Sequence, residues 1–194
     1  MLLLVILWVL FFFLHSVLAA NGTKAIAEKW LGGNFRFYRI AYNLLSLIFL
    51  SAILWLLTFR QDYNYLLANT GLVLFAGYGL MSAGGVIILL AFKNYDLGVF
   101  TGIKQIAQQI HHPDTLMIKG LNKYVRNPLY FGLIVFFAGY FLQQPTYMNL
   151  VTLSIVYGYI YIGTKLEEKK LEGVFGEEYR MYKRRVKMLI PFLL

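Results

Sequence analysis

The sequence contains no cysteine in its 194 residues, which excludes disulfide bonds, thiol catalysis and thiolate metal ligands. It is also poor in charge, because 14% of its residues are charged and 59% are hydrophobic. Soluble proteins carry about 25% charged and about 45 to 50% apolar residues, so this composition argues against a soluble globule. Acidic residues are the scarcer class, and the formal net charge is +9. The basic residues flank apolar runs, which favours anionic lipid headgroups over nucleic acid as their partner.

Long stretches contain no Lys, Arg, Asp or Glu at all: residues 1–20, 40–59, 65–92 and 127–164. A helix of about 20 apolar residues is long enough to cross a bilayer core of about 30 Å. The last stretch is divided by the turn sequence QQPT at residues 143–146. We therefore predict an all-α integral membrane protein with five transmembrane helices and a short last hairpin. The predicted spans are residues 1–20, 40–59, 66–92, 128–142 and 147–164.

The connections between these spans differ sharply in basic residues, since every Lys and Arg except Arg60 falls on one side of the five-helix topology. Lys and Arg accumulate on the cytoplasmic side, so we predict an external N-terminus and a cytoplasmic C-terminus in a prokaryotic inner (plasma) membrane. The cytoplasmic side then carries a loop at residues 93–127 and a tail at residues 165–194, all within a single membrane domain. Apolar residues at helical spacing predict an amphipathic helix from Lys165 to about Lys187. Glu167 and Glu168, where the last span meets the cytoplasm, are expected to pair with lysines of the tail, as Glu168 and Glu172 would at helical spacing. The alternative is that a carboxylate there recognises a cationic ligand.

The alternative interpretation of the first apolar run, residues 1–20, is a signal peptide. No basic residue precedes that run, and it is longer than the apolar core of a signal peptide, so we expect a transmembrane helix. His15 lies within this run, where a hydrogen bond to a neighbouring helix is favoured over a functional role. His111 and His112 are adjacent and diverge by about 100° on a helix, which argues against a shared metal ion.

Glycines are concentrated in the third predicted span. With no strand before them they do not fit a dinucleotide-binding loop, and close packing of helices is the favoured interpretation. The residues concerned are Gly77, Gly79, Gly84 and Gly85.

Two motifs in the second half carry a resemblance to a known family. Residues 120–132, GLNKYVRNPLYFG, resemble the G-x-Y-x-x-V-R-H-P-x-Y-x-G signature of integral membrane methyltransferases. Residues 167–191 are similar to that family's tail, with its elements E-E-x-x-L, F-G-x-E-Y-x-x-Y and V…P. The family includes isoprenylcysteine carboxyl methyltransferases and phospholipid methyltransferases. Looser similarities at residues 14–19, 38–46 and 95–105 favour its methanethiol S-methyltransferase and NnrU-like branch.

The resemblance implies that S-adenosyl-L-methionine is the cofactor and that the cytoplasmic loop and the tail hold it. A carboxylate, hydrogen-bond donors and an apolar slot suit this zwitterionic sulfonium, although a solvated loop could show the same polar residues. No catalytic residue is assigned, and Arg126, Tyr130 and Glu168 are candidates. The implied cofactor-binding residues are Gln105, Asp114, Thr115, Leu116, Met117, Asn127, Pro128, Leu129, Tyr130 and Glu167.

Three positions depart from the family pattern. Asn127 stands in place of a histidine, Asn122 in place of an aromatic residue, and Gly163 in place of the arginine that holds a prenylcysteine carboxylate. Glycine cannot clamp a carboxylate. The expected function is therefore methyl transfer to a small or lipophilic nucleophile, a thiol in first place, at the cytoplasmic membrane face. The alternatives are an isoprenylcysteine carboxylate or a phospholipid amine as acceptor, and a non-catalytic membrane scaffold or transport-related protein.

Overall fold

Helices form all the regular secondary structure in the computed structural model, which describes residues 1–59, 64–68, 70–93, 97–101, 103–106, 116 and 118–193. Within these residues, β pairing is limited to two isolated bridges. The all-α prediction is therefore confirmed. The α-helices are α1 (Leu2–Ala19), α2 (Asn21–Leu31), α3 (Tyr38–Phe59), α4 (Gly71–Phe92), α5 (Leu97–Thr101), α6 (Ile103–Ile106), α7 (Pro128–Gln143) and α8 (Tyr147–Arg185), and 3-10 helices occupy Gly32–Phe37 and Gly120–Lys123.

Helices α1, α3, α4, α7 and the first part of α8 coincide with the five predicted spans. Among the residues that the structure describes, three helical stretches are long and apolar enough to cross a membrane by length and composition, namely Leu2–Ala19, Asn21–Phe59 and Gly71–Phe92. Helix α7 is apolar but shorter, as expected for one arm of a short hairpin. The number of crossings, their orientation and the single membrane domain stay predictions.

One unit of the chain comprises residues 1–61 and 96–112. Here α1 packs against α3, and Leu4 and Trp8 of α1 and Ile53 of α3 are buried. His15 Nδ1 lies 3.1 Å from Ser46 Oγ, which confirms the expected hydrogen bond to a neighbouring helix. The connection between α1 and α3 is itself helical, because α2 and a 3-10 turn fill residues 21–37.

The other unit comprises residues 62–95 and 113–194. Helices α4 and α7 run antiparallel at backbone contact, because a Cβ on Gly84 would lie 2.5 Å from Phe136 N and one on Gly77 would lie 2.6 Å from Gln143 N. Close packing is thus confirmed for these two glycines. It is not found at Gly79 and Gly85, where an added Cβ would meet nothing within 4 Å.

Helix α8 joins the last predicted span to the tail without a break at residue 164. Helix-forming Lys, Leu and Glu fill residues 165–172, so nothing local ends the helix there. The helix bends instead at Gly176, whose φ of 55° and ψ of −125° suit glycine and few other residues. The predicted amphipathic tail helix is therefore divided at Gly176, and its second half turns back towards the segment before α7.

Candidate active site

The first motif folds into a 3-10 turn followed by the start of α7. Pro128 occupies the first helical turn, where its missing N–H costs no hydrogen bond and its fixed φ suits the helix. The preceding residues Val125, Arg126 and Asn127 are thereby held in a non-helical segment at the helix N-terminus. The backbone donors of Arg126 and Asn127 point to another part of the chain.

That other part is the end of the tail. Val125 forms a parallel β-bridge with Lys187, and Arg126 N donates to Lys187 O at 2.8 Å. Asn127 donates twice to Met188 O, from its backbone N at 3.2 Å and from its side-chain Nδ2 at 3.1 Å. We call residues 122–127 together with Glu168, Tyr179 and residues 182–188 the clasp. Asn127, which replaces the family's histidine, thus has its amide engaged by the tail.

Arg126 is the centre of the clasp. Its Nε and Nη2 donate to the two carboxylate oxygens of Glu168 at 2.5 and 3.0 Å, and both side chains are less than 10% exposed. Its Nη1 donates to Lys183 O at 3.1 Å and to Val186 O. This bidentate geometry is the strong form of an arginine–carboxylate pair. The hydrogen bonds of the guanidinium go to protein acceptors on both sides of the Gly176 bend: Glu168 before it, and Lys183 and Val186 after it. The geometry therefore favours a positioning role for Arg126 and Glu168 over contact with a reactant.

The neighbouring carboxylate, Glu167, is exposed. Tyr130 Oη on the first turn of α7 donates to Glu167 Oε2 at 3.1 Å. One hydrogen bond leaves most of the acceptor capacity of a carboxylate available, since each of its oxygens has two lone pairs. The structure therefore presents an oriented, accessible negative charge at the junction of α7 and α8, one residue away from the buried ion pair.

Two tyrosines of the tail complete the clasp. Tyr182 Oη donates to Asn122 O at 2.5 Å, and the rings of Tyr179 and Tyr182 meet edge to face at 5.9 Å. Burial, together with the nearby charge of Glu168, raises the pKa of the Tyr179 phenol, so it stays protonated at neutral pH. The motif contained both tyrosines; the sequence placed Tyr179 only in the apolar stripe of the tail helix and gave Tyr182 no role. Their three-residue spacing was the available signal that they share a helix face.

A second charge cluster bridges the bend at Gly176. Glu172 accepts from Arg180 Nε at 2.9 Å and from Lys183 Nζ at 3.2 Å, and Lys183 also lies 3.9 Å from Glu168. The predicted pairing of Glu168 and Glu172 with a tail lysine is confirmed. Hydrogen bonds from Arg180 and then Lys183 lower the pKa of the Glu172 carboxyl. The cluster is partly exposed, so solvent and salt screen it.

A cavity of about 380 Å³ adjoins the clasp at Tyr182. Ile118, Met181 and Val186 supply apolar lining, and the charged lining residues are of both signs: Lys123, Arg185 and Glu178. This volume falls in the range of small-molecule sites, roughly 300 to 1,000 Å³. The cavity lies beside the segment that leads into the first motif.

The structure brings five of the implied cofactor-binding residues together at the α7–α8 junction: Asn127, Pro128, Leu129, Tyr130 and Glu167. Leu116 is half-buried. Asp114, Thr115 and Met117 lie outside the described residues, as does the side chain of Gln105. Among the residues that are described, no group of His, Cys, Asp or Glu is arranged to hold a metal ion.

Residues 70–178, more than half of the chain, match the phospholipid methyltransferase family. The chain therefore belongs to that family of membrane methyltransferases. The two motifs that resemble those of the family, residues 120–132 and 167–191, contact each other in the clasp and through the hydrogen bond between Tyr130 and Glu167.

The chain is also similar to individual curated proteins that are named methanethiol S-methyltransferases. Over 123 residues the chain is 33% identical to a methanethiol S-methyltransferase of Crocosphaera subtropica, covering 60% of this chain and 46% of that protein. It is 44% identical over 72 residues to methanethiol S-methyltransferase 1 of Bradyrhizobium diazoefficiens (37% and 25%), and 44% identical over 73 residues to that of Pseudomonas deceptionensis (38% and 27%). The chain thus spans less than half the length of these relatives. No solved structure matches it.

Proposed function

We propose that this chain is a membrane-embedded methyltransferase that uses S-adenosyl-L-methionine and methylates a small or lipophilic nucleophile, a thiol in first place, at the cytoplasmic face. The observation that carries the proposal is the exposed Glu167 carboxylate. Tyr130 orients this carboxylate, and the adjacent buried pair of Arg126 and Glu168 fixes the helix that carries it. Family membership supports the reaction class, and relatives named methanethiol S-methyltransferases support the thiol.

The residues at the α7–α8 junction fit the proposed cofactor. A carboxylate with spare acceptor capacity suits its ammonium group or its ribose hydroxyls, and Glu167 is such a carboxylate. Asn127 to Tyr130 would line the same place, with Leu116 and the sequence-predicted Gln105, Asp114, Thr115 and Met117 completing the site. When bound, S-adenosyl-L-methionine would supply an electrophilic methyl group on a sulfonium.

The chain's own contribution is alignment and exclusion of water. Direct displacement requires the nucleophile and the methyl carbon to be held in line at short distance, and fixed geometry lowers the barrier for such a step. The clasp provides this rigidity, because Arg126 joins the start of α7 to both halves of α8. Tyr179 is not a base for the acceptor, since its raised pKa keeps it protonated.

Gly163 bears on the choice of acceptor. It lies one helical turn before Glu167, and a Cβ added there would meet nothing within 4 Å. The position where prenylcysteine methyltransferases place a carboxylate-binding arginine is therefore open space here, which disfavours a prenylcysteine carboxylate and leaves room for an uncharged acceptor. A phospholipid amine is the second candidate, favoured by the description of the family that the chain matches.

Calorimetry of cofactor binding to the purified protein tests the first part of the proposal. Glu167→Gln should weaken binding of S-adenosyl-L-methionine about 10- to 100-fold, the range for a hydrogen-bonded charge. Glu177→Gln is the matched control, because Glu177 is also an exposed carboxylate of α8. Absence of saturable binding by the unaltered protein, or equal losses in both variants, would overturn the cofactor site.

The acceptor is tested with methyl-labelled cofactor and parallel offers of methanethiol, a prenylcysteine and phosphatidylethanolamine. We expect label in dimethyl sulfide. Label in the phospholipid instead would establish the second candidate. Tight cofactor binding with no labelled product from any acceptor would support the non-catalytic scaffold.

A further inference from the structure

An apolar groove lies within the unit formed by residues 1–61 and 96–112, which we call the N-terminal unit. Its volume is about 650 Å³. The apolar walls come from α3, α1 and α6, through Ile40, Leu44, Leu47, Leu50, Phe11 and Ile103. Such a groove is large enough for a lipid chain and lacks the converging charges of a catalytic site.

The groove runs along α3 from Ile40 to Leu50. Ten residues of α-helix rise about 15 Å. The hydrocarbon core of a bilayer is about 30 Å thick, so the groove is about as long as one leaflet is deep. Its length therefore matches an acyl chain that lies parallel to a transmembrane α3.

Hydrogen bonds hold the walls of the groove together. Asn43 Nδ2 donates to Thr101 O at 3.1 Å, which joins α3 to α5 near the N-terminal end of the groove. Farther along α3, Ser46 is joined to His15 of α1 at 3.1 Å. All four residues lie in this unit, and Asn43, Ser46 and Thr101 line the groove. The groove is thus preformed.

Positive charge gathers at that same N-terminal end. Arg39 lies one helical turn before Asn43 and directly precedes Ile40, two residues that line the groove. Lys104 follows Ile103 on α6, and α6 contacts the 3-10 helix at Gly32–Phe37 that leads into α3. Between residues 20 and 40 the chain has four basic residues and one acidic residue. An apolar groove with a basic end is complementary to a lipid with an anionic headgroup.

Helix α2 indicates that this end lies at a membrane surface. Trp30 is 87% exposed and Ile26, one turn earlier, is 61% exposed, with Lys29 beside them. Tryptophan next to basic residues is typical of the membrane–water interface. The basic end of the groove is connected to α2 through the 3-10 helix and would share its depth.

We propose that the groove binds one anionic phospholipid, with an acyl chain along α3 between Ile40 and Leu50 and the phosphate near Arg39 and Lys104. The inference rests on the proposed membrane embedding but not on methyl transfer. It assigns the N-terminal unit a lipid site that uses none of the residues assigned to the cofactor, although one of those residues, Gln105, follows Lys104 on α6.

Native mass spectrometry of the full chain, titrated with phosphatidylglycerol or with phosphatidylcholine of the same acyl chains, tests this site. We expect one retained phosphatidylglycerol per chain, in preference to phosphatidylcholine. Arg39→Gln should weaken phosphatidylglycerol binding about fivefold, the order for one interfacial basic residue, and Arg39→Lys should preserve it. Lys170→Gln, which removes the same charge from an exposed position on α8, should leave it unchanged.

Leu47→Trp fills the groove and should reduce retention of both lipids. Equal binding of the two lipids would show that the groove accepts a neutral chain and would overturn the anionic site. Equal losses in Arg39→Gln and Lys170→Gln would do so as well, because they indicate general attraction to charge. Cofactor binding measured on the same preparations separates the two proposals, since loss of the lipid preference with intact cofactor binding contradicts this inference alone.

Discussion

Glu167 and Glu168 are adjacent in the chain, yet they belong to regions of opposite character. Glu168 is 4% exposed and paired on both oxygens with Arg126 inside the clasp, whereas Glu167 is exposed and accepts one hydrogen bond from Tyr130. Neighbouring positions on a helix point about 100° apart, so one faces the packed tail and the other faces outward. The difference separates a region that holds the site together from a region that can receive a ligand.

Loss of Arg126 should have the largest effect. Arg126→Ala removes both hydrogen bonds to the buried carboxylate of Glu168 and leaves it only Lys183 at 3.9 Å, and breaking such a buried pair costs about 3 to 5 kcal/mol. Denaturant unfolding in detergent measures this change. Arg184→Ala is the control, because Arg184 is 76% exposed and 3.8 Å from its carboxylate, a geometry worth about 0 to 1 kcal/mol. Similar losses in both variants would contradict the distinction between clasp and surface.

The clasp and the exposed Glu167 both depend on the position of α7, which packs against α4 with the two backbones in contact. Gly84→Ala should destabilise the fold by about 1 to 3 kcal/mol, because the new methyl group would overlap Phe136 N. Gly85→Ala is the matched control, since its Cβ meets nothing and alanine is the better helix former by about 1 kcal/mol. Thermal unfolding compares the two, and equal destabilisation would disprove the close helix contact.

On the exposed side, we expect an effect on binding without one on stability. Tyr130→Phe removes the hydrogen bond that orients Glu167, which is worth about 0.5 to 1.5 kcal/mol, or roughly 2- to 12-fold in cofactor affinity. Tyr124→Phe alters an exposed tyrosine of the same segment and should change nothing. A loss of stability in Tyr130→Phe would place this residue in the clasp instead.

The smallest effect concerns pH. The pKa of Glu172 is lowered in the folded chain, so its contribution is present above the unfolded pKa of about 4.3 and is lost as pH falls through the folded value. Acidification below pH 5 should therefore loosen the second half of α8, with greater amide exchange at residues 177–185. High salt should act in the same direction. A Glu172→Gln variant that kept the full pH response would show that another group is responsible.

Several features of the site were available from the sequence. The GLNKYVRNPLYFG and E-E motifs indicated the family, and they named Asn127, Pro128, Tyr130 and Glu167, which the structure places at one junction. The motifs implied a cofactor role for Glu167 and made Glu168 a catalytic candidate, but they did not show that Glu168 is buried against Arg126, because that depends on a partner 42 residues away. Nor did they reveal that Asn127 donates to Met188, since that contact joins residues 61 apart.

The sequence alone determined the helical class and the bounds of the apolar helices, because an uncharged run of about 20 residues must satisfy its backbone within itself in an apolar medium. Tertiary structure decided which residues of each local group contact another part of the chain. Gly77 and Gly84 face α7 while Gly79 and Gly85 do not, Glu168 is buried while Glu167 is not, and α8 continues to Gly176 before it bends. The physical reason is that helical periodicity fixes which residues share a face, whereas the neighbour that covers that face comes from a distant part of the chain.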